Sequence, residues 1–380
     1  MEKALAKHYE WRGKIETALR APLDNKEDLS YAYTPGVALP CLEIQKDPAK
    51  SFELTRRWNT VAVITDGTAV LGLGDIGPLA AMPVMEGKAA LFKKFGDVDV
   101  VPLCISTKDP DEFVNTVALL EGSFGGINLE DISAPRCFEI EEKLRARVSI
   151  PVFHDDQHGT AIVALAAVNN ALRLTGKSPS QVKIVVNGVG AAGTAIINLL
   201  ISADFKNIIP CDRAGIIYRG KEGMSPAHTM LAEITNPHGI TGGLAEAMNG
   251  SDIFIGVSGP NCVTADMVRS MNEKAAVFAM ANPTPEIMPD VAKAAGAYIV
   301  GTGRSDFPNQ INNVLAFPGV FRGVLDARAR EITDKVYLAA AKAIADYVKD
   351  DELSPEYIIP NALDKTVTQE VAAAAYQVSR

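Results

Sequence analysis

Short runs of apolar residues recur along the chain, and segments with helical spacing separate them. Several runs are apolar at every position rather than at every second one, as in residues 182–186. Uninterrupted apolar strands are typical of parallel sheets that are covered on both faces. The pattern therefore predicts an α/β chain. The predicted strands are residues 60–65, 98–105, 126–129, 182–186, 207–211, 252–257, 276–280 and 297–300.

Three further segments are predicted to be helical. Residues 159–174 contain many alanines and no proline, and Gly176 is suited to end this helix in a left-handed conformation. We expect this helix to bridge two domains. Residues 326–349 show an amphipathic pattern, and residues 1–30 form a charge-mixed helical arm.

The chain has 380 residues, which exceeds the usual size of one domain. From Val182 onward the strands and helices alternate regularly, which indicates a Rossmann-like, doubly wound sheet. We therefore expect an N-terminal α/β domain over 1–158 and a Rossmann-like dinucleotide-binding domain over 159–310. A C-terminal helical segment, 311–380, should pack back on the first domain.

Charge and cysteine usage narrow the class of protein. The net charge is −9, whereas a nucleic-acid partner normally requires a basic face. No apolar run reaches the roughly 18 residues of a membrane helix, and the N-terminal residues lack the apolar core of a secretory signal. The five cysteines are scattered without a Cys-x-x-Cys pair, which is typical of reduced thiols. We expect a cytoplasmic protein that binds neither nucleic acid nor a membrane.

The motif Gly-x-Gly-x-x-Gly occurs twice, and the second copy is the stronger nucleotide signal. Gly188, Gly190 and Gly193 follow a predicted strand and open a predicted helix. These glycines, with Ala191 and Ala192 between them, would let the backbone approach a pyrophosphate at the helix N-terminus.

Asp212 ends the next strand, 24 residues after Gly188. An acid at this place binds the ribose hydroxyls of NAD and should repel the 2′-phosphate of NADP. Arg213, Arg219 and Lys221 lie close to Asp212 in sequence and could accept that phosphate. The sequence therefore predicts an NAD site, with NADP as the alternative.

The first copy of the motif, Gly72, Gly74 and Gly77, lacks this context. Pro78 could start a helix, but Pro83 should interrupt it. No acid ends the next strand. We expect a tight turn with close backbone packing here rather than a second nucleotide site.

Two acidic pairs follow predicted apolar segments: Glu130-Asp131 and Asp155-Asp156. Oxygen ligands of this kind suit Mg²⁺ or Mn²⁺. Acids at strand ends are also common in solvated turns and helix caps. His154 and His158, four residues apart, could instead bind zinc. Lys88 and Tyr33 carry no distinctive signal on their own.

Taken together, these motifs resemble the malic enzyme family in its short bacterial form, over roughly residues 10 to 340. Tyr33-Thr34-Pro35 resembles the family's Tyr-Thr-Pro loop, and residues 71–77 resemble its first glycine loop. Lys88 after Gly87 matches its catalytic lysine. The other matching positions are Glu130, Asp131, Asp155, Asp156, Asn282 and Asn313.

The resemblance implies oxidative decarboxylation of L-malate to pyruvate and CO₂ with NAD(P) and Mg²⁺ or Mn²⁺. It implies that Lys88 is the base that accepts the hydroxyl proton and that Tyr33 is the general acid. Because a lysine base must be neutral, we expect burial or a nearby cation to lower its pKa.

The resemblance also assigns binding roles. Glu130, Asp131 and Asp156 would bind the metal, and Asp155 would lie alongside as a catalytic residue. Asn282 and Asn313 would hold the substrate carboxylate, and Asn282 would also contact the cofactor. Larger members of the family carry an arginine where this chain has Ala69, so other groups must hold the substrate carboxylate.

Three alternatives remain open from the sequence. Malolactic conversion would end in lactate and recycle the cofactor. A simple 2-hydroxyacid dehydrogenase would need no metal, and a catalytically silent nucleotide-sensing module would not turn over. The resemblance further implies a homodimer, in which each active site could receive Tyr33 from the partner subunit.

Overall fold

The computed structural model describes residues 2–70 and 72–380. Leu71 of the first glycine loop lies outside the described residues. The strands are β1 Thr60–Thr65, β2 Asp99–Cys104, β3 Gly126–Leu129, β4 Val152–His154, β5 Lys183–Asn187, β6 Asn207–Asp212, β7 Gly215–Ile216, β8 Ile253–Gly256, β9 Ala276–Ala279 and β10 Ile299–Thr302.

Helices connect and cover these strands. The α-helices are α1 Glu2–Trp11, α2 Lys26–Ala32, α3 Ala38–Lys46, α4 Ser51–Leu54, α5 Pro78–Gly96, α6 Pro110–Ala118, α7 Arg136–Arg147, α8 Thr160–Thr175, α9 Ala191–Ser202, α10 Pro226–Ile234, α11 Leu244–Met248, α12 Ala265–Arg269, α13 Pro289–Ala294, α14 Phe317–Asp326, α15 Asp334–Tyr347 and α16 Lys365–Ser379.

The first sheet has the order β2-β1-β3-β4, and its strands are parallel. Residues 61–65 of the central strand β1 are all buried. This explains why residues 61–64 are all apolar, because both faces of the strand are covered. Since the strands are parallel, the acids that follow β3 and β4 come to the same edge of the sheet.

The second sheet has the order β10-β9-β8-β5-β6-β7, and only β7 runs antiparallel to its neighbour. The chain leaves β5 toward β6 on one side and later returns to place β8 on the other side. This reversal creates a crevice at the carboxyl end of β5, which is where ligands bind in doubly wound sheets. The second glycine motif lies in that crevice.

Helix α8 links the sheets and is almost entirely buried. It begins after a single π-helical turn, Asp155–Gly159, and ends at Gly176 with a φ of 72°. The prediction for this helix is therefore confirmed within one residue at each end. Its many alanines let α9 and α15 pack closely against it.

The C-terminal helices pack onto the first sheet's helix α5. The ring of Phe317 in α14 lies 4.6 Å from that of Phe92 in α5. Gly319 and Gly323 of α14 leave no room for a side chain, because an added Cβ would come within 2.8 Å of α16. The domain boundaries at residues 158 and 310 stay a prediction.

Two helix predictions were wrong. Helix α5 continues through Pro83. Proline leaves the carbonyl four residues earlier without its usual donor, and that residue, Leu79, is 88% exposed, so water can take the donor's place. The helix predicted over 326–349 begins only at Asp334, because α14 ends at Asp326 and Arg328 adopts a left-handed φ of 51°.

The N-terminal arm is only partly helical. Helices α1 and α2 are separated by residues 12–25, where Gly13 has a φ of 124°. No residue of α1, α2 or α3 is buried. The last predicted strand, 297–300, is shifted to Ile299–Thr302. Among the described residues, no helix combines the length and the apolar character that crossing a bilayer requires.

Candidate active site

A cluster of acids forms at the carboxyl edge of the first sheet. Glu130 and Asp131 follow β3, and Asp156 lies in the π-helical turn after β4. One carboxylate oxygen from each lies within 4.8 Å of the others. Glu130 and Asp131 are buried, whereas 34% of the Asp156 side chain is exposed. The cluster is therefore open to the crevice on the Asp156 side.

Backbone geometry brings Asp131 and Asp156 together. Asp131 has a left-handed φ of 54°, a conformation that aspartate tolerates better than most residues. Its backbone N–H donates to Oδ2 of Asp156 at 2.7 Å. In contrast, Oδ2 of Asp131 is buried and has no donor among the described residues.

Burial and crowding change the affinity of these acids for protons. Burial raises the pKa of Asp131 to about 7, and the nearby charge of Asp156 adds to the rise. Burial also raises the pKa of Glu130 well above its usual range. Burial opposes ionisation of Asp156 too, but the hydrogen bond and charge of His154 outweigh it and lower that pKa.

These observations fit a hard divalent cation. Unpaired buried carboxylate oxygens are unfavourable, and a cation would satisfy Oδ2 of Asp131 and relieve the repulsion among the three acids. The three residues are those for which the resemblance predicts metal binding. The zinc alternative loses support, because neither His154 nor His158 belongs to this group.

Lys88 of α5 lies directly beside the acids. Its Nζ is 2.6 Å from Oδ2 of Asp155 and 2.8 Å from Oε1 of Glu130. The amine also lies 4.4 Å from the centre of the Phe317 ring. Burial alone would lower the pKa of Lys88, but the charges of Asp155 and Glu130 outweigh it, and the pKa is raised.

The raised pKa of Lys88 is the opposite of the lowered pKa that we expected, because a lysine must be neutral to act as a base. With only the protein's own charges, Lys88 stays protonated. A cation bound by Glu130 would offset the negative charge of that carboxylate. The pKa of Lys88 would then be raised less, because a neighbouring negative charge is what raises it.

Asp155 and Asn313 complete the cluster. Nδ2 of Asn313, which starts a short 3₁₀ turn before α14, donates to Oδ2 of Asp155 at 2.5 Å. The other oxygen of Asp155 lies against Gly159, where a Cβ would come within 1.9 Å. Asp155 therefore contacts Lys88 and Asn313 and lies outside the group of three acids, and burial raises its pKa to about 6.

The second glycine motif has the geometry of a phosphate-binding loop. Gly188 has a φ of 101°, and a Cβ on Gly193 would lie 1.8 Å from the carbonyl oxygen of Gly188. A Cβ on Gly190 would meet no atom of the described residues within 4 Å. Ala191 and Ala192 begin α9, whose first N–H groups have no partner within the helix. Helix α9 packs on the turn that holds Asp155 and Asp156.

Asp212 ends β6 beside the motif, since the N–H of Gly188 donates to Cys211 at 2.9 Å. Its carboxylate accepts from the N–H of Ala214 at 2.8 Å. Nζ of Lys221 lies 3.6 Å and Nδ1 of His228 lies 3.4 Å from that carboxylate. Of the three cations considered from the sequence, Lys221 therefore reaches Asp212, whereas Arg219 pairs with Glu233.

Asn282 lies at the carboxyl end of β9, on the second sheet. Its side chain packs against Gly303, where a Cβ would lie 2.4 Å from Nδ2. The first glycine loop approaches the same place, since a Cβ on Gly72 would lie 3.3 Å from Pro283. This loop forms a tight turn in which Val70 and Gly74 pair.

Ala69, the position at which the resemblance led us to look for an arginine, donates its N–H to the carbonyl of Asp131 at 2.9 Å. Its methyl side chain therefore provides no charge beside the acids.

Tyr33 does not join the cluster. Its side chain is 67% exposed, and its hydroxyl has no hydrogen bond among the described residues. The structure thus brings together Lys88, Glu130, Asp131, Asp155, Asp156 and Asn313, but it leaves Tyr33 on the exposed arm.

Two buried residues that the sequence analysis overlooked support the site. Phe317 presents its ring to Lys88. Glu286 accepts from the N–H groups of Ser258 at 2.8 Å and Ala281 at 3.0 Å, and so holds the loops after β8 and β9. Neither residue belongs to a recognisable motif. Only the unusual run Asn-Pro-Thr-Pro-Glu before Ile287 could have drawn attention to Glu286.

Comparison with known proteins agrees with this geometry. Residues 12–145 match the model of the malic enzyme N-terminal domain, and residues 157–379 match that of the malic enzyme NAD-binding domain. The chain belongs to the malic enzyme family.

Similar malic enzymes are known in sequence and structure. A bifunctional malic/malolactic enzyme of Bacillus subtilis is 54% identical, over 98% of this chain and 91% of its own length. An NADP-dependent malic enzyme of Salmonella typhimurium is 50% identical over 95% of this chain, which corresponds to 50% of the relative. The crystal structure of an NAD-dependent malic enzyme from Thermotoga maritima has a TM-score of 0.95, 49% identity and 98% coverage of both chains.

Proposed function

We propose that this chain oxidatively decarboxylates L-malate to pyruvate and CO₂ while reducing NAD. The observation that carries the proposal is the buried contact of Lys88 with Asp155 and Glu130, beside two further acids, at a turn that packs on α9. This arrangement supports a lysine that exchanges protons, a cation site and a dinucleotide loop around one crevice.

The cation would be held by Glu130, Asp131 and Asp156. Mg²⁺ or Mn²⁺ supplies Lewis-acid chemistry when bound, which stabilises negative charge on substrate oxygens. The protein's own part is to position substrate and move protons. Lys88 would accept the C2 hydroxyl proton during hydride transfer. Asp155 holds the amine of Lys88 in place, and Asn313 in turn donates to the carboxylate of Asp155.

Asn282 and Asn313 are proposed to bind the substrate carboxylate, Asn282 from the loop after β9 and Asn313 from the turn before α14, where it contacts Asp155. Asn282 is also proposed to contact the cofactor, since it follows the carboxyl end of β9. Tyr33 is proposed to protonate C3 of enolpyruvate after CO₂ leaves.

For the cofactor, the open space at Gly190 would accommodate the pyrophosphate, and the N–H groups of Ala191, Ala192 and Gly193, which have no partner within the helix, would donate to its oxygens. Asp212 would bind the ribose hydroxyls. Relatives at about the same identity are named NAD-dependent and NADP-dependent, so similarity does not choose between them. We propose NAD because a carboxylate at Asp212 repels a 2′-phosphate.

Initial rates test this function. The protein should reduce NAD with L-malate only when Mg²⁺ or Mn²⁺ is present, and EDTA should abolish the rate. Turnover that persists in EDTA would instead indicate a metal-independent 2-hydroxyacid dehydrogenase. Absence of turnover with malate, either metal and either nicotinamide would contradict the proposal.

Malolactic conversion is the second candidate, because the Bacillus subtilis relative is named a bifunctional malic/malolactic enzyme. The two reactions differ in the fate of the electrons. Pyruvate and NADH formed in equal amounts indicate the malic reaction, whereas lactate formed without accumulation of NADH indicates the malolactic one.

We also propose a cytoplasmic homodimer that acts on small molecules, without nucleic acid or membrane. The arm and the following helix α3 expose large apolar side chains that a partner subunit could cover: Leu5, Tyr9, Trp11, Ile15, Leu19, Leu23, Leu29, Tyr31, Leu39 and Leu42. Tyr33 lies between the arm and α3, which supports its insertion into the partner's site.

Subunit mixing tests this assembly. Inactive Tyr33→Phe and Asp156→Ala chains are combined and allowed to exchange. If Tyr33 acts in the partner's site, a mixed dimer has one site with both lesions and one intact site, and activity returns. If heterodimers form without activity, Tyr33 acts within its own subunit.

A further inference from the structure

A hydrogen-bonded group of polar side chains lies beside the acids, between the loop that follows β1 and the start of α7. It consists of Asp66, Thr68 and Arg136, and we call it the Thr68 cluster. Asp66 and Thr68 are buried, and all three residues lie outside the group of acids that could hold a cation. Buried polar groups are costly unless their hydrogen bonds are satisfied, so the direction of each bond in the cluster is constrained.

The Thr68 hydroxyl uses all of its hydrogen-bonding capacity. Its oxygen lies 2.6 Å from Oδ1 of Asp66, 2.9 Å from a guanidinium nitrogen of Arg136 and 3.0 Å from the backbone nitrogen of Ser133. A hydroxyl donates one hydrogen and accepts two. Because the guanidinium and the backbone N–H can only donate, the hydroxyl accepts from both and donates its own hydrogen to Asp66.

Asp66 and Arg136 fix the position of this hydroxyl. Oδ1 of Asp66 also accepts from the N–H of Thr68 at 3.1 Å, and Oδ2 accepts from Arg136 at 2.6 Å. A second guanidinium nitrogen of Arg136 donates to the carbonyl of Lys108 at 2.7 Å. Arg136 is the first residue of α7, so the cluster joins the loop after β1 to the first turn of that helix.

The loop after β1 also holds the backbone around Asp131. The N–H of Ala69 donates to the carbonyl of Asp131 at 2.9 Å, and the N–H of Ser133 donates to Thr68. Between these bonds and its own N–H bond to Asp156, Asp131 keeps a left-handed φ of 54°. A residue other than glycine keeps such a conformation only where the surrounding contacts determine it. The bond from Ser133 to Thr68 is one of those contacts.

We propose that Thr68 is a positioning residue, whose hydroxyl holds the backbone after Asp131 so that the left-handed conformation directs the Asp131 carboxylate into the cation site. Thr68 acts through Asp131 and is not itself a ligand. Without the hydroxyl, the backbone at Ser133 is released from Thr68. Asp131 can then return to a right-handed or extended conformation, and its carboxylate leaves Glu130 and Asp156.

Three variants separate this role from a general contribution to folding. Thr68→Val removes the hydroxyl and keeps the branched shape of the side chain, whereas Thr68→Ser keeps the hydroxyl. Thr116→Val is the matched control, because Thr116 is an exposed threonine of α6 whose hydroxyl also bonds to the backbone, at 2.8 Å from the carbonyl of Glu112.

Mn²⁺ binding, measured by electron paramagnetic resonance, gives the first readout. Thr68→Val should weaken binding by about tenfold or more, as loss of a group that orients a metal ligand commonly does. Thr68→Ser and Thr116→Val should bind Mn²⁺ as the wild type does, and NADH affinity should be the same in all three variants. Wild-type Mn²⁺ affinity in Thr68→Val contradicts the role of Thr68, and so does a loss of NADH affinity as large as the loss of Mn²⁺ affinity.

Hydrogen exchange in the metal-free protein gives a second readout, resolved to single amides by mass spectrometry with electron-transfer fragmentation. If Thr68 bonded only locally, Thr68→Val would speed exchange at the Ser133 amide alone. If Thr68 holds the conformation of Asp131, the bond from the Asp131 amide to Asp156, 2.7 Å long, should also open. Both amides should therefore exchange faster in Thr68→Val and at the wild-type rate in Thr68→Ser. An unchanged Asp131 amide in Thr68→Val contradicts the proposal.

The role of Thr68 rests on the proposed metal site, and the two can fail separately. If the wild type binds no Mn²⁺, the proposed function is wrong. If the wild type binds Mn²⁺ and Thr68→Val binds it equally well, only the positioning role of Thr68 is wrong.

Discussion

At the carboxyl edge of the first sheet, Lys88 and Asp155 are buried in mutual contact, whereas at the same edge of the second sheet Gly190 has no neighbour within 4 Å of where a Cβ would lie. The first edge holds charges in fixed positions. The second leaves space and unpaired backbone N–H groups. Similar parallel strands thus carry two kinds of edge, one charged and one open, because the residues that follow them differ.

The comparison predicts that a substitution at one edge impairs the function of that edge and leaves the other intact. Asp156→Ala should have the largest effect on the rate, because loss of Lewis-acid stabilisation amounts to several kcal/mol, or roughly a thousandfold or more in rate. Malate turnover should fall to background at saturating Mn²⁺. Asp111→Ala, an exposed acid of the same domain, should retain full activity. Substantial turnover by Asp156→Ala in EDTA-treated buffer would show that the metal assignment is wrong.

Lys88→Ala and Tyr33→Phe should fail at different steps, each by about 10²- to 10⁴-fold. Without Lys88 nothing accepts the hydroxyl proton, so malate oxidation and oxaloacetate reduction should both be lost. Without the Tyr33 hydroxyl only protonation of enolpyruvate is impaired, so oxaloacetate reduction should persist. The two partial reactions are followed by NADH absorbance. Equal loss of both reactions in both variants would contradict this division.

The charged edge should also make the metal-free protein sensitive to pH. The pKa of Asp131 is raised to about 7 by burial, from about 3.9 in an unfolded chain. At this site the native state therefore binds more protons than the unfolded state, so the contribution of Asp131 to stability is greatest below about pH 4 and falls by up to a few kcal/mol as the pH rises through about 7.

Urea unfolding in EDTA measures this fall, and Asp131→Asn should flatten it. The exposed Asp351→Asn serves as the control and should follow the wild type. A fall that is as steep in Asp131→Asn as in the wild type would remove Asp131 as its source.

Asp212→Ser should have the smallest effect and should be confined to the second edge. Removal of the carboxylate lets Lys221 and His228 face a 2′-phosphate. The preference for NAD should narrow by about tenfold, which corresponds to about 1.4 kcal/mol, or reverse. The ratio of kcat/KM for the two cofactors measures it. A wild type that already prefers NADP would show that these cations dominate the subsite.

The sequence was informative where one local pattern decides the structure. The apolar strands and α8 were predicted closely, because burial on both faces and a left-handed Gly176 depend on nearby residues. The second glycine motif was separated from the first by its flanking strand and helix. Of the site residues, the acid cluster, Lys88 and Asn313 lie together in the structure, although their roles stay predictions.

What the sequence did not predict depends on contacts between distant residues. The continuation of α5 through Pro83 depends on Leu79 facing water, and the end of α14 depends on a left-handed Arg328. Phe317 reaches Lys88 from more than two hundred residues away. The raised pKa of Lys88 likewise needs the distances to Asp155 and Glu130, which no pattern along the chain provides.

The central claim, that the cation and the cofactor bind at separate edges of one crevice, is tested most directly by two titrations on two variants. Asp156→Ala should lose Mn²⁺ binding and keep NADH binding. Gly190→Val should fold, because its backbone φ of −81° lies outside the left-handed region and its Cβ would meet no atom of the described residues within 4 Å, but the side chain would occupy the pyrophosphate's place. It should lose NADH binding and keep Mn²⁺ binding. If either variant lost both ligands, or if Gly190→Val bound NADH as well as the wild type does, the division between the two edges would be contradicted.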